Sequence, residues 1–120
     1  MRVTCRLFQN MHLNRTYSLL TGRNVKVIYD LFCMLDVHND QSLNDVQFFA
    51  FLATVTDLTE SQSNAVFDML DVDGSGSIDI NEFYLLICIF IAVQDRDEKQ
   101  VKFFLEIKKV SKFLLYFLYK

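Results

Sequence analysis

Apolar positions recur along this chain with helical spacing, in two sets that copy each other. Ile28, Leu31, Phe32 and Leu35 stand at i, i+3, i+4 and i+7, and Phe48, Phe51, Leu52 and Val55 do the same further on. Each quartet occupies one stripe of a helix. Val66, Phe67 and Leu70, then Phe83, Leu86, Ile87 and Phe90, form a second such pair. Core packing is the plain function of all four stripes. Between the members of each pair lies a polar loop of twelve residues, 36–47 in the first and 71–82 in the second. The tetrapeptide TESQ, Thr59 to Gln62, has the form of a capping box, which predicts a helix starting just after Thr59.

Displacing the sequence by 35 positions brings FCMLDV (32–37) onto FDMLDV (67–72), Ser42-Leu43 onto Ser77-Ile78, and Phe48 onto Phe83. The pattern therefore predicts two copies of one helix–loop–helix unit. The expected architecture is all-α: a paired unit with a short β-bridge between its loops, followed by a C-terminal helix. Its divisions are an N-terminal basic segment or helix over 1–23, the paired domain over 24–94 and a basic amphipathic helix over 95–120.

Composition narrows this picture. The 120 residues suit one domain, and the 52% that are hydrophobic, twelve of them phenylalanine, are ample for a core. Proline is absent and the three glycines are Gly22, Gly74 and Gly76, so a helical chain with few sharp turns is expected. The longest apolar run, FYLLICIFIAV from Phe83 to Val93, is far short of the roughly 20 residues of a membrane-spanning helix and reads as a buried helix. The N-terminal stretch MRVTCRLFQNMHLNR has no continuous apolar segment, so no secretory leader is expected.

The net charge of -3 conceals a strong polarity along the chain. Residues 1–23 carry four arginines and no acid; residues 24–97 carry thirteen acids against Lys26 and Arg96; residues 98–120 carry six lysines against Glu98 and Glu106. An acidic middle disfavours nucleic acid and favours a cation or a basic partner. Cys5, Cys33 and Cys88 are odd in number and lack metal-ligand spacing, which points away from disulfides and zinc and toward a reducing, intracellular setting. Cys33 and Cys88 lie in apolar runs and are expected to act as small hydrophobes.

The second loop, DVDGSGSIDINE from Asp71 to Glu82, places four carboxylates and two glycines in twelve residues. Carboxylates this close repel one another unless a cation lies among them. Asp71, Asp73 and Ser75 stand at the first, third and fifth positions, a glycine at the sixth and a glutamate at the twelfth. This arrangement resembles the calcium loop of the EF-hand family, with Ser75 in place of the usual Asp or Asn. Carried over residue by residue, the resemblance implies side-chain oxygens from Asp71, Asp73 and Ser75, the backbone carbonyl of Ser77, Asp79 through a water, and both oxygens of Glu82, holding one Ca²⁺. Gly76 permits the bend by taking positive φ. Ile78 is expected to pair with Leu43 in a two-residue bridge.

The first loop, DVHNDQSLNDVQ, keeps the frame of Asp36, Asp40 and Ser42 but has His38 at the third position, Gln41 at the sixth and Gln47 at the twelfth. Without the glutamate and the glycine it is expected not to bind calcium and to serve as a structural mate. His38, between Asp36 and Asp40, is either a plain loop histidine or a proton-responsive group near physiological pH.

Beyond the loops, YSLLTGRNVK (17–26), SLNDVQFFAFL (42–52), VTDLT (55–59) and FYLLICIF (83–90) are similar to the EF-hand accessory subunits of the sperm cation channel. That resemblance implies a calcium-responsive cytoplasmic subunit in the sperm flagellum, partnered by a small companion subunit and by channel cytoplasmic domains. The basic tail departs from it, since it carries no further acidic loop. Its apolar positions Phe103, Phe104, Ile107, Val110, Phe113, Leu114, Phe117 and Leu118 approximate one helical face. Such a face can pack on this domain, on a partner or on an anionic membrane. No nucleophile–base pair, phosphate-cradling glycine loop or transition-metal cluster is present, so an enzyme is not expected. A regulatory sensor and a constitutive subunit stabilised by its ion remain as the two readings.

Overall fold

The computed structural model describes residues 2–14, 20–71 and 74–107. Among the described residues six helices and one two-stranded ladder follow in order: α1 (Arg6–Gln9), α2 (Gly22–Leu35), β1 (Leu43–Asn44), α3 (Asp45–Val55), α4 (Glu60–Leu70), β2 (Ser77–Ile78), α5 (Ile80–Gln94) and α6 (Glu98–Ile107). Helices α2 to α5 begin where side chains can accept the orphan amides of a first turn. The Thr21 side chain accepts from Asn24 N, and Thr59 and Gln62 form the expected reciprocal capping box. Two further boxes, Asn44 with Gln47 and Asp79 with Glu82, start α3 and α5.

The repeat becomes a pseudo-twofold. Leu43 pairs with Ile78 and Asn44 with Ser77 in the antiparallel ladder, so the two loops meet at equivalent residues, as expected. Across the same axis Phe32 of α2 meets Phe83 of α5 at a ring separation of 5.5 Å, and its mate Phe67 of α4 meets Phe48 of α3, also at 5.5 Å. Each unit thus packs its incoming helix on the outgoing helix of the other. Phe51 adds a second contact to Phe83 at 5.2 Å. Such tilted and edge-on pairs contribute beyond the area they bury.

The core runs along α5, whose residues from Leu86 to Ala92 are all buried, as the apolar run suggested. Two positions differ from expectation. Cys33 is exposed, because Phe32 takes the inward position and Cys33 lies about 100° further round the helix. On α6 it is Val101 and Phe104 that face the core, while Phe103 is 48% exposed. The helix turns its i, i+3 pair inward and leaves Phe103 outside. Val110, Phe113, Leu114, Phe117 and Leu118 lie outside the described residues, as does Asp73.

Candidate metal centre

Both loops open in the same way. The helix before each ends on an aspartate, Asp36 at φ -82°, ψ 66° and Asp71 at φ -84°, ψ 65°. In the first loop the Asp36 carboxylate accepts from Asp40 N (3.0 Å) and Gln41 N (2.9 Å). In the second, Asp71 accepts from the corresponding amides of Ser75 (3.0 Å) and Gly76 (2.8 Å). One carboxylate therefore gathers two backbone N–H groups and curls the loop around itself. The curl needs left-handed backbone at two positions. Gly74 and Gly76 supply it at φ 68° and 81°, and Asn39 and Gln41 adopt it at φ 55° and 62°. The sixth position was legible from its glycine. The fourth was missed, although Asn39 opposite Gly74 is a usable signal, since both tolerate this region.

The chemistry of the two loops then diverges. Ser75 Oγ lies 3.0 Å from Asp71 Oδ1 and 3.2 Å from the Ser77 carbonyl, bringing oxygens from the first, fifth and seventh positions together. In this arrangement the Ser75 hydroxyl donates to both acceptors, and the spacing is also close to the roughly 3 Å between neighbouring oxygens on a calcium shell of about 2.3–2.6 Å radius. At the far end of the loop Asp79 Oδ1 accepts from Glu82 N (2.8 Å) and Glu82 Oε1 accepts from Asp79 N (2.9 Å). The ninth and twelfth positions thus lock each other at the start of α5. Asn44 and Gln47 make the same exchange in the first loop, at 2.8 and 3.0 Å. Gln47 is therefore a capping residue that keeps the shape of the loop without supplying a carboxylate. The spacing N-x-x-Q would have revealed this. His38 stands exposed on the turn of the first loop, and Ser42 is half-buried beside the ladder.

Two features away from the loops carry further chemistry. An apolar groove of about 470 Å³ runs between α2 and α3, walled by Leu31, Leu35, Val37, Phe51, Val55 and, from the N-terminal segment, Cys5; Gln47 lies at its edge. Val37 and nearby Met34 are 72% and 76% exposed. On α5, burial pushes the Cys88 thiol up to about 11, partly opposed by its hydrogen bond with Tyr84. The Tyr84 phenol is itself raised, chiefly by burial.

The chain matches the EF-hand domain pair over residues 25–88, more than half its length, and belongs to that family. The family is a non-enzymatic calcium-binding module. A 65-residue stretch is 42% identical to alpha-actinin A of Dictyostelium discoideum, covering 53% of this chain and 8% of that protein. The chain therefore corresponds to a small part of that relative. Among the described residues no helix is long and apolar enough to cross a membrane.

Proposed function

We propose that this chain is a calcium-responsive regulatory subunit of the sensor type, binding one ion in the second loop and none in the first. What supports the reading is a single feature, the Ser75 hydroxyl within reach of both the Asp71 carboxylate (3.0 Å) and the Ser77 carbonyl (3.2 Å) inside a loop that ends on Glu82. Asp73 and Asp79 complete the proposed ligand set. Calcium would supply the divalent charge that relieves carboxylate repulsion. Asp71 closes α4 and Glu82 lies in the first turn of α5, so binding tension between them would be felt as a change in the angle of those helices. The groove beside α2 and α3 is the surface on which a protein partner would act.

Residues 24–94 would be the paired domain, 1–23 and 95–120 its basic flanks. Stretches outside the ligands resemble EF-hand calcium-binding domain-containing protein 9. On that basis the setting would be cytoplasmic, at a sperm flagellar cation channel, with channel cytoplasmic domains and a small companion subunit as partners.

A second reading is favoured by the capping boxes and the aspartate curls, which shape both loops through the protein's own hydrogen bonds. In it the chain is a constitutive subunit whose ion only stabilises the fold. Calorimetric titration with Ca²⁺ tests the shared premise: one ion per chain is expected, and Glu82→Gln should abolish the heat. Undiminished binding by that variant, or two ions in the native chain, overturns the assignment. Apolar-dye fluorescence that rises with calcium selects the sensor over the static subunit.

A further inference from the structure

The N-terminal segment is tied to the paired domain far more closely than a basic leader need be. Val3 forms an antiparallel bridge with Thr56, Thr4 N donates to Val55 O (2.8 Å), and Asp57 N donates to Arg2 O (3.1 Å). The Arg2 amide in turn donates to the Asp57 carboxylate (2.7 Å). These bonds hold the segment to the C-terminal end of α3 and to the connection between the two units. Further along, at Phe8 and His12, it is held to the end of α5. Gln94 Nε2 donates to Phe8 O (2.7 Å), and His12 Nδ1 lies 3.1 Å from both Asp95 carboxylate oxygens. Between the two attachments Phe8 and Met11 are sunk into the core, Phe8 completely. The strap also provides Cys5 as one wall of the apolar groove.

We propose that residues 2–14 are an intramolecular clamp, a strap that fastens the outgoing helices of the two units to each other and, through Cys5, closes one side of the groove until it is released. Its two anchors sit on the C-terminal ends of α3 and α5, so these ends can separate only if the strap stretches or lets go. The attachments at Arg2 and His12 are exposed, whereas the seat of Phe8 is dry; the aromatic ring is therefore the latch and the polar bonds set its position. The clamp deepens the interaction-subunit reading above, and its regulatory meaning rests on that reading.

The test uses the full chain, native and with Phe8→Ala or Thr4→Pro, each measured with and without calcium. Proline at residue 4 has no N–H to give to Val55 O and disturbs no buried side chain. The readouts are amide exchange at Asp57, whose N–H is held by Arg2 O, and apolar-dye fluorescence at constant helical circular dichroism. In Phe8→Ala, exchange at Asp57 should accelerate about 100-fold or more, the ratio expected when a buried phenylalanine that seats a segment is truncated. Dye fluorescence should rise several-fold, and Thr4→Pro should shift both readouts the same way. If Phe8→Ala loses its helical signal, Thr4→Pro decides by the same measurements. Variants that stay helical with native exchange and native dye signal overturn the clamp. A chain indifferent to calcium in the calorimeter overturns the sensor reading alone, because the strap is read out in calcium-free buffer as well.

Discussion

Gln41 and Gly76 occupy the same place in the two loops, at φ 62° and 81°, and only one of them is suited to it. Exchanging their character should change stability in opposite directions. Gln41→Gly removes a left-handed penalty of about 1–2 kcal/mol for an L-residue. Against this stand the freedom that glycine returns to the unfolded chain, about 0.4–1 kcal/mol, and the exposed hydrogen bond from Gln41 Nε2 to Asn39 Oδ1 at 3.2 Å, about 0.5 kcal/mol at most. The amide bond to Asp36 survives the substitution. The net is a stabilisation of about 0.5 kcal/mol, or roughly 2 °C in Tm for a chain of this size. Gly76→Ala reverses the sign. A Cβ there meets nothing within 4 Å, so the cost is that of the backbone alone. It comes to about 0.8 kcal/mol after the entropic gain, or roughly 3 °C. Differential scanning calorimetry of both variants in calcium-free buffer measures the pair. A lower Tm for Gln41→Gly, or an unchanged one for Gly76→Ala, would show that the loops are not governed by φ strain and refute the reasoning.

Three other outcomes follow from the packing and the titrating groups. Phe83 is fully buried between Phe32 and Phe51 of the other unit, so Phe83→Ala should cost about 3–5 kcal/mol and lower the urea midpoint of the whole domain; separate unfolding of the two halves would contradict the interlock. Thr59→Ala removes the cap of α4 and should cost about 1 kcal/mol in the same assay, with the exchange of the Gln62 amide accelerated. Cys88 has its pKa raised from 9.0 to about 11, so the folded state favours the protonated thiol. That contribution is fully present below pH 9, is lost as pH rises through 11, and amounts to about 2–3 kcal/mol over the window. Cys88→Ala should flatten the alkaline limb of the stability profile; an identical limb in both proteins would refute it.

Much of this protein was legible because its information is local and repeated. The i, i+3, i+4, i+7 stripes give the four main helices, and the 35-residue displacement that aligns the loops also pairs Leu43 with Ile78. The family of the second loop's motif follows from residue types at alternate positions, and the box at Thr59 from two residues three apart. What local pattern could not contain is anything decided by partners distant in the chain. The strap depends on bonds between residues 55 and 86 positions apart, and its apolar members Phe8 and Met11 show no periodicity of their own. The outward placement of Cys33 and Phe103 depends on which side of each helix meets a neighbour, and an apolar run does not encode that choice. Gln47 shows both limits at once. Its type announces that a carboxylate is missing, but only the folded loop reveals that the amide caps α3 and holds the first loop in the same frame as the second. Residue types along the chain decide which atoms are offered to an ion; burial and long-range hydrogen bonding decide which elements are free to move when one is bound.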